Sequence, residues 1–241
     1  MDRLDALAVI LPARSVTAAL RPLVNDLANA GIGALILVDD GIPFADKESL
    51  AFASEFRQVY VVGHAVNRGK GRALKTGFEF ALALSNGFQG VVTADADGQH
   101  SCEDILRVGK ALLVSPDRAV LGTRRFDGDV PMRSRFGNDV TRRIFRFVSG
   151  HALGDTQSGL RAFPVALLPE LLDLEGERYE YEMNVLAYLC ATNRPPAEVA
   201  IRTIYEEGNR TSHFKPLLDS FRIYRVLARY CVPWRSVRRH Q

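Results

Sequence analysis

The feature that most constrains this chain is a set of five short apolar runs that stop abruptly: Leu7–Pro12, Ala34–Val38, Val59–Val62, Gly90–Ala94 and Ala119–Gly122. None alternates polar with apolar residues, so each reads as a strand buried on both faces, as in a parallel sheet. Helical periodicity fills the intervals. Val16–Ala30 follows a possible cap at Ser15 and stops at Gly31; Ser49–Phe56 is shorter, and Arg72–Leu84 ends near Asn86-Gly87. Ser101 is placed to cap a helix through Val114, with Glu103 and Asp104 suited to the positive end of its dipole. Strand alternating with helix predicts an α/β fold, a doubly wound, mostly parallel sheet with helices on both faces.

Beyond Arg124 the rhythm changes. An arginine-rich stretch leads into a helix expected over Phe136–Val148, then a loop at Gly150–Gly159 and a short segment at Leu160–Phe163. Helices follow near Val165–Leu172 and Glu180–Thr192, then a strand at Glu198–Tyr205. A last helix, Leu217–Tyr230, carries Leu217, Phe221, Tyr224 and Leu227/Ala228 on one face. With no linker, internal repeat or low-complexity stretch, the 241 residues read as a single domain over 1–209, and residues 210–241 as a basic helix and tail packed on it.

Charge is unevenly placed. The net +3 divides into +7 over residues 210–241 and −4 over the rest, which excludes a uniformly basic nucleic-acid binder. The three cysteines, Cys102, Cys190 and Cys231, are far apart and form no C-x-x-C, so neither a disulfide framework nor a zinc site is indicated. Acids near the N-terminus and the lack of a long apolar run point to the cytoplasm. The basic helix and tail, with Trp234 among arginines, could either rest on anionic lipid or pack as an ordinary helix with a frayed end.

In open α/β sheets, ligands bind at the carboxyl ends of the strands. Here those ends carry Pro12-Ala13-Arg14, Asp39-Asp40, Asn67-Arg-Gly-Lys-Gly71, Asp95-Ala96-Asp97 and Gly122-Thr-Arg124. Asp95 and Asp97 repel one another unless a cation lies between them, and hard oxygen ligands suit Mg²⁺ or Mn²⁺. The alternative is a solvated acidic turn. An EF-hand is excluded, because its sixth position would be His100 and its twelfth Leu106. Asn67–Gly71 is not a Walker A loop, since Gly71 follows Lys70 where Ser or Thr should stand. As a turn opening a helix it could bring backbone N–H groups and Lys70 to a diphosphate, or be a turn and nothing more. Asp39-Asp40-Gly41 is either a turn or a contact to a nucleoside. No serine sits in the G-x-S-x-G context of a hydrolase nucleophile.

As an ordered set these elements resemble a family-two glycosyltransferase of the GT-A fold, in the polyprenyl-phosphate (dolichyl-phosphate mannose synthase-like) branch. The resemblance runs from Val9 to Ile223 through Val38-Asp-Asp-Gly41, Asn67–Gly71, Asp95–His100, Arg135-Phe-Gly-Asn138, Asp155–Arg161 and Tyr179–Glu182. It implies a nucleotide-diphospho-sugar donor, bound by the half over 1–124, and a lipid-phosphate or hydroxyl acceptor on the half over 125–209. Pro12 and Asp40 would face the nucleoside, in a donor set that includes Ala13, Arg14, Lys70 and Ala96. Asp95 and Asp97, with Gln99, would hold Mg²⁺ or Mn²⁺. Arg124, with Arg133 or Arg135, would neutralise phosphates, and Arg210, His213 and Lys215 could close over the diphosphate. Asp155 and the Glu180/Glu182 pair would lie on the acceptor side; Asp155, Glu182 and Asp97 are the catalytic candidates. A hydroxyl acceptor would need a base, Asp155 first and Glu182 second, whereas a lipid phosphate would need none. The family expectation is inversion at the anomeric carbon.

The chain departs from that pattern at Arg14-Ser15-Val16, where Tyr-Asn-Glu is common, and at Ile42, where Ser is usual. Two rivals follow. A sugar nucleotidyltransferase shares the fold but normally begins with a glycine-rich basic loop, and Leu11–Ser15 has no glycine. A degenerate homologue that binds without turnover fits Arg14-Ser15, while Asp95, Asp97, Lys70 and Arg124 oppose it.

Overall fold

Strand β1 (Leu7–Ala13) lies inside the sheet because its side chains are apolar in both directions. Leu7, Val9 and Leu11 point into one core, and Ala8 and Ile10 into another on the opposite face. It pairs in parallel with β2 (Ala34–Asp40) on one side and β4 (Gly90–Thr93) on the other, and β3 (Val59–His64) extends the sheet beyond β2. A computed structural model describes residues 3–84, 87–124, 132–202 and 216–231, with 132–138, 216–221 and 231 described by backbone alone.

Past β4 comes a reversal. Strand β6 (Arg161–Pro164) runs antiparallel to both β4 and β5 (Val120–Arg124), and β7 (Ala197–Ile201) pairs in parallel with β5. The order of the seven strands is β3-β2-β1-β4-β6-β5-β7. The doubly wound, mostly parallel expectation therefore holds with one reversed strand. That strand brings the loop before it to the same edge as the carboxyl ends of its neighbours. Strand β3 departs from the expectation of burial on both faces: as an edge strand it leaves Val61 45% exposed.

Helices α1 (Leu20–Asn29) and α3 (Cys102–Val114) cover one face; α2 (Lys70–Ala83), α5 (Leu168–Leu172) and α6 (Glu180–Ala191) cover the other. A third core joins α6 to α4 (Met132–Ser149) and α7 (Pro216–Cys231) through Phe145, Met183, Leu186, Ile223 and Leu227. The face that α7 buries is Ile223, Val226 and Leu227, so the expected stripe through Tyr224 and Ala228 is corrected, both being exposed. Ser101 caps α3 as expected, its Oγ accepting from the Asp104 amide at 3.1 Å.

Helix α1 starts later than Val16 because Thr17 is drawn elsewhere, donating its hydroxyl to the Ala96 carbonyl. Phe44–Glu55, entered from Pro43, winds as a 3₁₀ helix in which Leu50 and Ala53, three apart, are buried. The strand expected to reach Tyr205 ends at Ile201 within the described residues, and residues 203–215 lie outside them. Among the described residues no helix is long and apolar enough to cross a membrane.

Candidate active site

The crevice at the carboxyl edge of the sheet centres on a partly buried ion cluster. Lys70, the first residue of α2, places its Nζ 2.6 Å from Asp95 Oδ1 and 2.9 Å from Glu182 Oε2. Asp95 follows β4 and Glu182 lies in the first turn of α6, so three elements meet at one ammonium group. His100 Nε2 stands 3.6 Å from Asp95 Oδ2. Burial alone would raise the Asp95 carboxyl, but Lys70 and His100 outweigh it and hold Asp95 well below the usual carboxylate range. Burial likewise works against the Lys70 charge, and Asp95 and Glu182 reverse that and raise Lys70 above an ordinary lysine. Gly159 makes the packing possible: a Cβ there would stand 2.6 Å from Asp95 Oδ2 and 2.8 Å from Lys70 Nζ.

Asp97 is set differently. Its partners are the Gln99 amide N–H at 3.1 Å and the Gln99 side-chain amide at 2.9 Å. Burial, and then the neighbouring Asp95 charge, push its carboxyl above the ordinary range. The two carboxylates thus repel as their spacing suggested, and a cation between them would remove that repulsion. Among the described residues no three His, Cys, Asp or Glu side chains form a metal cage. Mg²⁺ and Mn²⁺ do not need one, since such ions take one or two carboxylates and complete their shell with water and phosphate. Asp95 and Asp97, with the Gln99 amide oxygen, fit that kind of site.

Asp40 stands apart from the crevice chemistry expected of it. Its buried carboxylate accepts from His64 Nδ1 at 2.8 Å, the Asn67 side-chain amide at 2.8 Å, the Arg68 amide at 2.8 Å and the Gly69 amide at 2.9 Å. Four donors saturate it, so a direct hydrogen bond from a nucleoside would have to displace one of them. The same bonds engage the Asn67–Gly71 loop within the protein. The Arg68 and Gly69 amides turn to Asp40, the Arg72 amide donates to the Glu177 carbonyl at 3.0 Å, and Lys70 faces Asp95 and Glu182. Asp40 ties down the loop that enters α2 through the Arg68 and Gly69 amides. Gly69, with φ of 108°, lets that loop pack against Glu177, whose carbonyl would lie 2.4 Å from an added Cβ.

Asp155 is engaged as well. It is fully buried and locked to Arg124 through two bonds, Nε to Oδ2 at 2.6 Å and Nη2 to Oδ1 at 3.2 Å, with the Gln157 amide on Oδ1 at 2.9 Å. A carboxylate sealed this way is not poised to take a proton from an acceptor. Glu182 bonds Lys70 through Oε2, while its other oxygen, Oε1, is buried without a partner among the described residues. Glu180 caps its own turn through the Glu177 and Arg178 amides. Pro12 is half-buried and Ala13 and Ala96 are buried beside the crevice, whereas Arg14 is exposed. The side chains of Arg133 and Arg135, and all of Arg210, His213, Lys215 and Trp234, lie outside the described residues.

Sequence reasoning missed Arg161. It is 3% exposed, donates to the Ser158 and Glu182 carbonyls, and lies in the field of Glu182, Asp155 and Asp95, the burial of its guanidinium pulling its pKa down against them. The available signal was a lone arginine inside an apolar run, Leu160-Arg161-Ala162-Phe163. Thr17, which ties the loop after β1 to the Ala96 carbonyl, carried no such signal.

A model of the family described as Glycosyl transferase family 2 matches residues 8–171, which include β1 through β6 and the Asp95–His100 loop. The chain belongs to that family. This glycosyltransferase is 29% identical over 240 residues to UDP-N-acetylglucosamine–dolichyl-phosphate N-acetylglucosaminyltransferase of Methanococcus voltae, covering 91% of this chain and 94% of the relative. It is 31% identical over 147 residues to the polyprenol monophosphomannose synthase of Mycolicibacterium smegmatis, covering 58% of this chain and 54% of that protein. These names bear out the resemblance to the polyprenyl-phosphate branch. The fold matches glucosyl-3-phosphoglycerate synthase from Mycobacterium tuberculosis, in complex with Mn²⁺, UDP and glucosyl-3-phosphoglycerate, with a TM-score of 0.70 at 20% identity. That match covers 95% of this chain and 82% of the other, and the glycosyltransferase has the GT-A fold.

Proposed function

We propose that this glycosyltransferase moves a sugar from a nucleotide-diphospho-sugar to a lipid-linked phosphate, using Mg²⁺ or Mn²⁺ held by Asp95 and Asp97 with Gln99. The observation that carries the reading is the Asp95 and Asp97 pair, two partly buried carboxylates two residues apart in the loop after β4, with the Gln99 side chain bonded to Asp97 at 2.9 Å. A bound divalent ion would supply Lewis-acid stabilisation of the charge developing on the departing diphosphate. Relatives whose names specify dolichyl phosphate and polyprenol support a lipid-phosphate acceptor, and a solved relative of the same fold binds Mn²⁺ and UDP.

The chain's own residues favour a phosphate over a hydroxyl. A hydroxyl needs a carboxylate free to take its proton, and both candidates are engaged, Asp155 by Arg124 and Glu182 by Lys70. A lipid phosphate brings an oxygen that is already anionic. Asp155 then serves to hold Arg124 at the mouth of the crevice, and Arg161 and Lys70 give the buried acids their countercharge.

Contact with an anionic membrane would run through the outer face of α4. There Phe147 is 87% exposed and Ile144 36% exposed, beside exposed Arg143 and Arg146. Apolar side chains flanked by arginines suit insertion among acidic headgroups.

The direct test is transfer from a panel of UDP- and GDP-sugars to a polyprenyl phosphate with Mn²⁺, wild type against Asp97→Ala. Activity without added metal in the presence of a chelator, or unchanged activity in the variant, would overturn the metal assignment. Transfer only to hydroxyl acceptors would overturn the lipid-phosphate reading. The anomeric configuration of the product, read by NMR, checks the expected inversion. Flotation with anionic liposomes before and after Phe147→Glu checks α4; equal flotation removes that face.

A further inference from the structure

Lys70 lies where the proposed metal site needs a carboxylate to be available. Its Nζ is 2.6 Å from Asp95 Oδ1, so one oxygen of a proposed metal ligand is already bonded to a protein cation. The other oxygen faces His100 Nε2 at 3.6 Å and the packed Gly159. Across the same ammonium, Glu182 bonds it through Oε2 alone, and Oε1 is buried with no partner among the described residues. Such an orphaned carboxylate oxygen is costly when dry and gains strongly from a cation. Lys70 therefore has a second anion within reach that is only half used. The Tyr179 ring, its centroid 5.9 Å from Nζ, borders the same space.

We propose that Lys70 is a tethered placeholder cation. In the metal-free protein it neutralises Asp95; when a divalent ion binds, it releases Asp95 and turns fully onto Glu182, engaging both carboxylate oxygens. The inference rests on the metal reading above and adds a positioning role for Lys70 and Glu182 that the reading does not require. Two consequences have opposite sign. Without Lys70, Asp95 is open from the start and nothing competes with the metal. Without the Glu182 charge, Lys70 loses its second ion-pair partner and holds Asp95 more tightly. Competition of this kind weakens apparent affinity by the fraction of molecules whose site is free, so a site open in about a tenth of molecules binds about tenfold more weakly.

The experiment is titration of the full chain with Mn²⁺ alone, read by the loss of the free-ion EPR signal, for wild type, Lys70→Met and Glu182→Gln. The expected result is about tenfold tighter binding for Lys70→Met and several-fold weaker binding for Glu182→Gln, with Lys70→Met melting at a lower temperature than wild type when metal is absent. Should Lys70→Met fail to fold, Lys70→Gln and the Glu182→Gln comparison carry the test. Binding to Lys70→Met that is unchanged or weaker, or binding to Glu182→Gln that is unchanged or tighter, overturns the placeholder role and leaves the metal reading intact. If wild type and both variants all fail to bind Mn²⁺, alone and with UDP, the metal reading falls and the inference with it.

Discussion

Asp39-Asp40 at the end of β2 and Asp95-Ala96-Asp97 beyond β4 are the same side chains in the same kind of place, on either side of β1. Their surroundings separate them. Asp40 takes four hydrogen bonds from its own chain, two of them from backbone amides, and Asp39 takes the Ile42 amide at 2.6 Å and the Lys47 ammonium at 2.9 Å. Asp95 is balanced by the ammonium of Lys70 and the nearby His100, and Asp97 by a glutamine two residues away. Backbone amides are fixed by the fold and cannot be exchanged, whereas a lysine on a flexible stem can leave. Asp40, ringed by four donors, builds its loop; Asp95, balanced by a movable lysine, remains available to another cation.

Asp155 is fully buried and paired with Arg124, and that arginine gives the largest expected effect. Arg124→Leu leaves a fully buried carboxylate without its cation, which should cost about 3–5 kcal/mol in urea denaturation. A loss under about 1 kcal/mol would mean the pair is not structural. Asp97→Ala is the converse: transfer should fall about 10²–10³-fold, as when one stabilising contact to developing charge is removed, while the melting temperature scarcely moves. A stability loss as large as that of Arg124→Leu would erase the distinction between the two kinds of acid.

Asp40→Ala should be milder, costing about 2 kcal/mol because the Arg68 and Gly69 amides and the Asn67 side chain lose their acceptor. Mn²⁺ affinity should survive it. Loss of Mn²⁺ binding in a still-folded Asp40→Ala protein would place Asp40 with the crevice acids after all.

The smallest effect is a tilt with pH. Asp97 is raised above 3.8 by burial and then by Asp95, so its contribution to stability is complete below 3.8 and is lost as pH rises through the folded value. Wild type should therefore lose melting temperature relative to Asp97→Asn as pH rises from 3.8 toward neutral. Asp95 runs the other way. Lys70 and His100 depress it against burial, so its contribution is present above 3.8 and lost only as pH falls through the depressed value. A wild-type to Asp97→Asn difference that stays flat with pH would show that the Asp97 carboxyl is not raised.

Much of this was legible in the sequence because the signals are local. Five apolar runs became β1 to β5, and Ser101 capped α3 because a cap reaches only three residues along the chain. Where long-range contacts compete, the reading slipped: Thr17 bonded Ala96 and delayed α1, and β3 became an edge strand with alternate residues exposed. The candidate site followed the same division. Asp95 and Asp97 were singled out by spacing, while the bonds that engage Asp40, Asp155 and Glu182 span 21 or more residues except at Gln157.

The sequence by itself determined the alternating architecture, the family and the acidic loop after β4, since apolar periodicity and motif order are written residue by residue. Only the tertiary structure decided which acids are available. Whether a carboxylate meets an amide, an arginine or a lysine depends on loops brought together by the reversed strand β6 and by α2 and α6 meeting at Lys70. Charge neutralisation acts over a few ångströms in space, and no spacing along the chain encodes those distances.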